Sequence, residues 1–199
     1  MDPLYSSALS TFADLLAQAK QSIDPEPTAM TVATVGRDGR PAARTVLLKG
    51  FDERGFVFYT NFSSRKGRQL AANPQAALLF HWRHLGEGVQ VKIEGTVEPV
   101  SAEEADIYFA SRPRGSQIGA WASLQSQPLA SREQFEKRYA DFEKQYEGAS
   151  VPRPPHWIGY RIKPIEMEFW HDRPYRLHDR IVFRRPSPDG AWEKQRLFP

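Results

Sequence analysis

The sequence contains no cysteine, and this absence excludes several kinds of chemistry. Disulfides, thiolate nucleophiles, iron–sulfur clusters and zinc sites built on cysteine all require a thiol. The five histidines show no pairing with carboxylates at metal-ligand spacing, so we expect no metal site. A GxSxG motif, a P-loop and a GxGxxG fingerprint are also missing. The sequence therefore gives no support to a serine hydrolase, a P-loop enzyme or a Rossmann dinucleotide site.

Long apolar runs are missing as well. No uninterrupted apolar stretch approaches the ~18 residues that a membrane-spanning helix needs, and residues 1–5 carry no basic segment before an apolar one. We therefore expect no membrane partner and a cytoplasmic location. Charge is nearly balanced, with 27 lysines and arginines against 24 acidic residues. Because the cations are spread among acids rather than clustered with aromatics, we expect a small anionic ligand and no nucleic acid.

The length of 199 residues predicts one domain, with an α+β fold. Apolar residues at spacings of three and four, from Leu9 to Ile23, indicate an amphipathic helix within an amino-terminal segment, residues 1–28. Residues 29–199 then alternate short β-branched or aromatic runs with turn sequences. Hairpin-length connections cannot make parallel crossovers, so these runs predict a small antiparallel β-barrel with inserted helices.

The pattern assigns most of the chain to strands or helices. Strands are predicted over 30–35, 44–49, 56–60, 76–82, 89–97, 157–162, 166–170 and 179–184, with a last hairpin turn at 186–190. Further helices are predicted over 64–72, 101–109 and 131–146, the second from a capping box of Ser101 and Glu104. Gly115 and Gly119 are expected to break up the segment between the last two helices. The proline-rich residues 151–155 are expected to form an extended loop.

Two arginine-rich segments, 111–121 and 176–180, are typical of an anion site. A guanidinium is a permanently charged fork that matches phosphate oxygens two at a time. His178 lies between Arg176 and Arg180, which disfavour its charged form, so it is expected to remain a neutral hydrogen-bond partner. Taken alone, such segments are equally typical of solvated surface charge or of a barrel rim.

A second candidate anion site lies where a predicted strand runs into a predicted helix. The segment 59–68 leads through hydroxyl-bearing residues to the adjacent cations Arg65 and Lys66. Free N–H groups and the positive end of the helix dipole attract phosphate at such a start. Simple N-capping by Ser63 or Ser64 explains the hydroxyls equally well.

Five blocks, taken in order, resemble the pyridoxamine (pyridoxine) 5′-phosphate oxidase family. They are RTVLLK at 44–49, FYTNFSSRKGRQL at 58–70, YFASRPRGSQIGAWASLQS at 108–126, EFW at 168–170 and RLHDR at 176–180. The resemblance covers nearly the whole chain from about Met30 onward. It implies a homodimer of split antiparallel β-barrels with peripheral helices, holding two FMN molecules in clefts that both chains line.

The resemblance also implies a reaction and a set of site residues. The expected reaction is oxidation of pyridoxine or pyridoxamine 5′-phosphate to pyridoxal 5′-phosphate, with a hydride equivalent passed to FMN and O2 reduced to H2O2. The substrate phosphate is expected at Lys49, Tyr108, Arg112 and Ser116, and the expected catalytic pair that covers the pyridine ring is Arg176 and His178. The expected FMN contacts are Arg44, Thr45, Val46, Leu47, Leu48, Lys49, Tyr59, Thr60, Arg65, Lys66, Gln90, Gln125, Ser126, Trp170 and Arg180.

Two other functions stay open. One is a related FMN-dependent oxidase on the same barrel, such as a phenazine-type enzyme, which should alter the residues that hold the substrate phosphate. The other is a non-catalytic module that binds FMN or pyridoxal phosphate without turnover. The fold alone does not distinguish them, because similar barrels serve several ligands.

Overall fold

The computed structural model describes all residues, Met1–Pro199, as a nine-stranded antiparallel sheet with five α-helices. The strands are β1 Ala29–Val35, β2 Pro41–Leu47, β3 Gly50–Asp52, β4 Gly55–Asn61, β5 Gln75–Trp82, β6 Val89–Pro99, β7 Trp157–His171, β8 Asp179–Arg184 and β9 Glu193–Leu197. The α-helices are α1 Pro3–Gln21, α2 Arg65–Ala72, α3 Ala102–Ala110, α4 Arg114–Ala122 and α5 Arg132–Gln145, and a short 3-10 turn covers Pro174–Arg176.

The sheet curls around β7, its longest strand, into the expected split barrel. Strand order is β2-β1-β5-β6-β7-β4-β3, with β8 pairing β7 and β9 pairing β8. The start of β7 pairs β4, its end pairs β8, and β6 runs along most of its length. A register shift between Glu94 and Gly95 lets β7 pass Pro164 without interruption. The prediction of two separate strands at 157–162 and 166–170 is therefore wrong.

Helix α1 fills the barrel with its apolar face. The helix begins at Pro3 because Asp2 Oδ1 accepts a hydrogen bond from Leu4 N at 2.8 Å, which satisfies an otherwise free N–H. The ring of Phe12 is fully buried and makes edge contacts at 4.9 Å with Phe51 and Phe56. The amphipathic helix is thus confirmed, although Ile23 lies beyond its end and is exposed.

Helices α3, α4 and α5 form a lobe beside the start of β7. Its small core, which we call the lobe cluster, contains Phe109, Ile118, Val151 and Trp157. The prediction that Gly115 and Gly119 interrupt this region is wrong, because both lie inside α4. Each glycine costs a helix only about 1 kcal/mol relative to alanine, and burial of Ile118 in the lobe cluster outweighs that cost.

Candidate active site

The junction of β4 and α2 directs a lysine into the protein. Ser64 caps α2 by accepting a hydrogen bond from Gly67 N at 3.2 Å, and Lys66 in the first turn is buried. Its Nζ donates to Thr60 Oγ1 at 3.0 Å and to Gln125 Oε1 at 3.2 Å. Burial, with a smaller contribution from the charge of Arg44, lowers the pKa of Lys66 to about 8. Capping by Ser64 and a buried cation therefore coexist at this junction.

A second cation, which is partly buried, lies under the same helix. Arg44, on β2, donates from Nη1 to Thr34 Oγ1 at 2.6 Å and to Val32 O at 3.1 Å, and from Nη2 to Gln69 Oε1 at 3.3 Å. Burial, and then the nearby charge of Arg65, lower the pKa of Arg44. All the partners are neutral, so the positive charges around α2 are not neutralised by the protein itself.

Arg112 is held between aromatic rings at the end of α3. Its guanidinium carbon lies 5.0 Å from the ring centre of Trp157 and 5.5 Å from that of Phe109. The Nη1 atom is buried and has no hydrogen-bond partner. Burial lowers the pKa of Arg112. A buried donor without a partner costs about 1–3 kcal/mol, so this N–H group is suited to an acceptor on a ligand.

These cations share the absence of an acidic partner. None of the ion pairs in the structure includes Arg44, Lys49, Arg65, Lys66 or Arg112. Lys66 is the buried one of the five, and a buried charge in a protein is ordinarily paired. An excess of unpaired positive charge in one region is the arrangement that an anionic ligand requires.

Two adjoining cavities bring many of the predicted residues together. The first has a volume of about 250 Å³ and the second of about 360 Å³. Ser116 lines the second one, next to Arg112. The predicted residues that line the first are Thr45, Val46, Leu47, Lys49, Tyr59, Thr60, Lys66, Tyr108, Arg112 and Gln125. They come from four separate segments of the chain, so only the folded structure makes them neighbours.

Seven predicted cofactor residues lie outside both cavity linings, and four of them lie near the start of α2, in the barrel core or in the loop after α4. The side chain of Leu48 is buried in the barrel core, while Arg44 is hydrogen-bonded beneath α2. Arg65 is exposed at the start of α2, and Ser126 is exposed in the loop after α4 with a φ of 70°. Their contacts with a cofactor stay predictions.

Sequence reasoning missed Trp157, which lines both cavities. Its ring lies 4.8 Å from that of Tyr59 and 6.0 Å from that of Tyr108, nearly parallel to each, and Tyr59 and Tyr108 are 4.2 Å apart. Burial raises the pKa of Tyr59 to about 12, so its hydroxyl remains protonated near neutrality. The only sequence signal was an aromatic residue after a proline-rich loop, which is too common to indicate a site.

A second set of predicted residues lies at the other end of β7. Gln90, Trp170 and Arg180 are direct partners across β6, β7 and β8. Tyr59, in contrast, pairs with Gly159 near the beginning of β7. Eleven residue steps separate Gly159 from Trp170, which corresponds to up to about 36 Å of extended strand. Neither cavity has a lining residue from this second set.

The catalytic pair predicted from the sequence belongs to the same distant end. Arg176 is exposed and, like Tyr175, has a left-handed backbone, with φ values of 62° and 60°. Such strain in a non-glycine residue costs about 1–3 kcal/mol and is common at functional sites. The ring of His178 lies 4.5 Å from that of Trp170.

The surroundings of His178 differ from those expected. Its Nδ1 lies 3.0 Å from Asp172 Oδ1 and 3.3 Å from the backbone N of Arg173. Arg176 and Arg180 were the expected charged neighbours, because each lies two residues from His178 in the chain. The carboxylate of Asp172 is the neighbour that this expectation missed. The neutral state of His178 stays a prediction.

A curled antiparallel half-barrel with unpaired cations around an aromatic-walled cavity defines the class: FMN-binding split-barrel proteins. Comparison with models of known protein families agrees with this class. A model described as pyridoxamine 5′-phosphate oxidase matches residues 16–146, and a model of the pyridoxine 5′-phosphate oxidase C-terminal dimerisation region matches residues 157–199. The chain belongs to the pyridoxamine 5′-phosphate oxidase family, and it is an FMN-dependent oxidoreductase. The expected fold and the expected cofactor, FMN, are confirmed.

Individual relatives support this assignment. The chain is 60% identical over 191 residues to a pyridoxine/pyridoxamine 5′-phosphate oxidase of Myxococcus xanthus, covering 96% of this chain and 91% of that protein. PhzG from Burkholderia lata, solved with tetrahydrophenazine-1-carboxylic acid, is 33% identical with a TM-score of 0.89 over 100% of this chain and 98% of its own. An FMN-binding protein of Nostoc punctiforme has the same fold, with a TM-score of 0.74, 18% identity and 96% coverage of both chains.

Two further findings concern association. The match to the dimerisation region supports the expected homodimer. None of the helices combines the length and the apolar character needed to cross a bilayer.

Proposed function

We propose that this enzyme oxidises pyridoxine 5′-phosphate and pyridoxamine 5′-phosphate to pyridoxal 5′-phosphate, with O2 as the final electron acceptor. The observation that carries the proposal is the buried, unpartnered Nη1 of Arg112 beside the cavity that Lys66 and Tyr59 line. The unpaired cations come from different elements, with Lys66 at the start of α2 and Arg112 after the end of α3, and their number suits two phosphates, one on the cofactor and one on the substrate. The name of the Myxococcus xanthus relative agrees with this substrate class.

The cofactor phosphate is assigned to the start of α2. Lys66 supplies a buried ammonium, Arg65 an exposed guanidinium, and the first turn supplies free N–H groups. Thr60 and Gln125 hold Lys66 in place through the hydrogen bonds at 3.0 and 3.2 Å. These residues fit FMN because an anion offsets the cost of burying the ammonium. When bound, FMN supplies a two-electron acceptor that takes a hydride equivalent from C4′ of the substrate and passes the electrons to O2.

The substrate phosphate is assigned to Arg112, Tyr108, Ser116 and Lys49, which we call the phosphate clamp. Each charge-assisted hydrogen bond contributes about 1.5–3 kcal/mol where water is excluded. Three or four such bonds anchor a small ligand and hold its reacting carbon in one orientation. Oxidation of the alcohol gives the aldehyde directly. Oxidation of the amine gives an imine, which water hydrolyses to the aldehyde and ammonia.

The residues at the far end of β7 are assigned to the partner subunit's side of the site. Gln90, Trp170 and Arg180 lie too far along the strand from Tyr59 to line one small-molecule cavity within a single chain. A symmetric dimer accounts for this distance. Each chain then contributes the start of its β7 to one site and the end of its β7 to the other, so both sites contain residues from both chains. Arg176 and His178, on the same end, cover the pyridine ring and offer hydrogen bonds to its polar substituents.

Subunit complementation tests this shared site. Arg112→Ala and Arg180→Ala are each expected to be nearly inactive, but their mixture after unfolding and refolding together should recover about a quarter of wild-type activity through heterodimers with one intact site. If both residues served the same chain's site, every site in the heterodimer would carry one defect. Absence of recovery despite heterodimers seen by mass spectrometry would overturn the shared site.

The spectrum of the purified protein tests the reaction itself. The protein is expected to be yellow, to bleach on anaerobic addition of pyridoxamine 5′-phosphate, and to form aldehyde and peroxide in equal amounts in air. Retention of the yellow colour with every vitamin B6 phosphate would overturn the proposed reaction and leave a phenazine-type oxidase or a binding module as the function.

The similarity to PhzG supports a second candidate, oxidation of a reduced phenazine carboxylic acid. Such a substrate offers Arg112 a carboxylate in place of a phosphate, so it provides fewer acceptor oxygens for the donors of Arg112, Tyr108, Ser116 and Lys49. Comparing kcat/KM for pyridoxamine 5′-phosphate and for a dihydrophenazine carboxylate decides between the two functions.

A further inference from the structure

The ring of Trp157 contacts residues assigned to both ligands. It is stacked on Tyr59 at an interplanar angle of 7°, packs edge-on against Phe109 at 5.1 Å, and lies under the guanidinium of Arg112 at 5.0 Å. The residue is buried, with 7% of its surface exposed, and begins β7. No other residue of the lobe cluster lines both cavities.

The way in which Arg112 is held matters for its chemistry. A carboxylate partner would neutralise the guanidinium, and carbonyl partners would use up its N–H groups. An aromatic face attracts the cation through the ring quadrupole and leaves the N–H donors in the guanidinium plane free. The unpartnered Nη1 of Arg112 fits this arrangement. Arg161, which is buried, is instead fixed by two carboxylates.

We infer that Trp157 is a positioning residue for substrate recognition: its ring holds Arg112 ready to bind a phosphate without consuming the donors that the phosphate needs. The inference rests on the proposed function, since it assumes that Arg112 binds the substrate phosphate. It goes beyond that function by giving a role to a residue outside the clamp. A role in core packing alone predicts a different result, namely loss of stability without a change in phosphate preference.

The test is the preference of the holoenzyme for a phosphorylated substrate, measured as kcat/KM for pyridoxamine 5′-phosphate divided by that for pyridoxamine. Trp157→Leu should lower this ratio by about three- to tenfold, mainly through KM for the phosphorylated substrate, because the cation–π attraction is lost. Trp157→Phe keeps a weaker aromatic face and should give an intermediate ratio. Inhibition by inorganic phosphate should weaken in the same order.

Trp121→Leu is the matched control. Trp121 packs against the same lobe, 5.6 Å from Phe142, and lines neither cavity. Its replacement should lower the melting temperature and leave the preference ratio unchanged.

The outcomes separate this inference from the proposed function. If Arg112→Ala lowers the ratio but Trp157→Leu and Trp157→Phe leave it unchanged, the positioning role is wrong. If Trp157→Leu does not fold, an unchanged ratio in Trp157→Phe overturns the role equally. If Arg112→Ala itself leaves the ratio unchanged, the phosphate assignment of the proposed function is wrong.

Discussion

Two arginines in this enzyme, the buried Arg161 and the partly buried Arg112, have opposite surroundings. Arg161, on β7, donates from Nη2 to Glu104 Oε1 at 2.6 Å and from Nη1 to Asp52 Oδ1 at 3.1 Å, and its side chain is 3% exposed. Arg112 has no acidic partner and a buried N–H group without any acceptor. The folded chain satisfies the donors of Arg161, whereas the donor of Arg112 is left for the ligand that we propose it binds.

The difference separates a structural charge from a binding charge. Breaking a buried ion pair is costly because a charge is left without compensation, so Arg161 contributes to the stability of the fold. A cation kept without a partner costs stability in the free protein and returns that free energy when an anion binds. We therefore expect substitutions at the two positions to affect different measurements.

The largest expected effect is on activity at Arg112. Arg112→Ala should lower kcat/KM for pyridoxamine 5′-phosphate by about 100-fold or more, because two charge-assisted hydrogen bonds to the phosphate are lost. The free energy of unfolding should change by less than about 1 kcal/mol, since the unsatisfied donor is removed together with its aromatic contacts. Steady-state kinetics and urea unfolding measure the two quantities.

Arg138→Ala serves as the control for this substitution. Arg138 also lies over an aromatic ring, 5.8 Å from the centre of Phe142, but its Nε donates to Ala122 O. Its replacement should leave kcat/KM near the wild-type value. A similar loss of kcat/KM in both variants would show that Arg112→Ala lowers activity by disturbing the packing of the helical lobe, not by removing a contact with the substrate phosphate.

The next effect is on stability at Arg161. Arg161→Ala should lower the free energy of unfolding by about 2 kcal/mol, a value reduced because Asp52 and Glu104 are partly exposed. The activity of the folded fraction should be retained. Arg132→Ala, which breaks an exposed pair with Glu136, should change stability by less than about 0.5 kcal/mol. If the two substitutions lower the free energy of unfolding equally, Arg161 is not the structural charge described above.

The smallest effect is a pH dependence that arises from Lys66. The pKa of Lys66 is about 8 in the folded protein and 10.5 ordinarily. Between pH 8 and pH 10.5, the unfolded state therefore binds more protons than the folded state. The contribution of Lys66 to the stability of the FMN-free protein should therefore rise from pH 8 toward pH 10.5. FMN should suppress the rise, because its phosphate favours the ammonium.

Urea unfolding at pH 7.5 and pH 9.5 measures this effect in the FMN-free and FMN-bound proteins. The Lys66→Met variant removes the titrating group and is the reference for all other pH effects. If the wild type and the variant show the same pH dependence without FMN, Lys66 is not the buried cation that the fold indicates.

Much of the fold could be predicted from the sequence because it depends on local patterns. Helix α2 and helix α5 follow from caps and periodicity within their own segments, and both were predicted within a residue or so of their bounds. The errors at α4 and β7 have non-local causes. Burial of Ile118 in the lobe outweighs two glycines, and β7 stays continuous past Pro164 because it accommodates one extra residue, Ile165, opposite the step from Glu94 to Gly95.

The residues of the candidate site also divide into those that local motifs predict and those that only contacts distant in the chain reveal. Three of the five motif blocks, 44–49, 58–70 and 108–126, contain every residue that lines the first cavity except Trp157, and those blocks were found because they resemble a known family. Trp157 was missed because its importance comes from contacts with Tyr59 and Arg112, which are far from it in the chain. The acidic neighbour of His178 was missed for a related reason, since a turn brings Asp172 back to it.

By itself, the sequence determined the family, the cofactor and an excess of arginines suited to phosphate. Only the tertiary structure decided which of those arginines are free to bind a ligand. Arg161 and Asp52 are 109 residues apart and become partners through the sheet, while Arg112 meets aromatic rings and no acid. Ion pairing depends on distances of a few ångströms between side chains, and those distances exist only after the chain has folded.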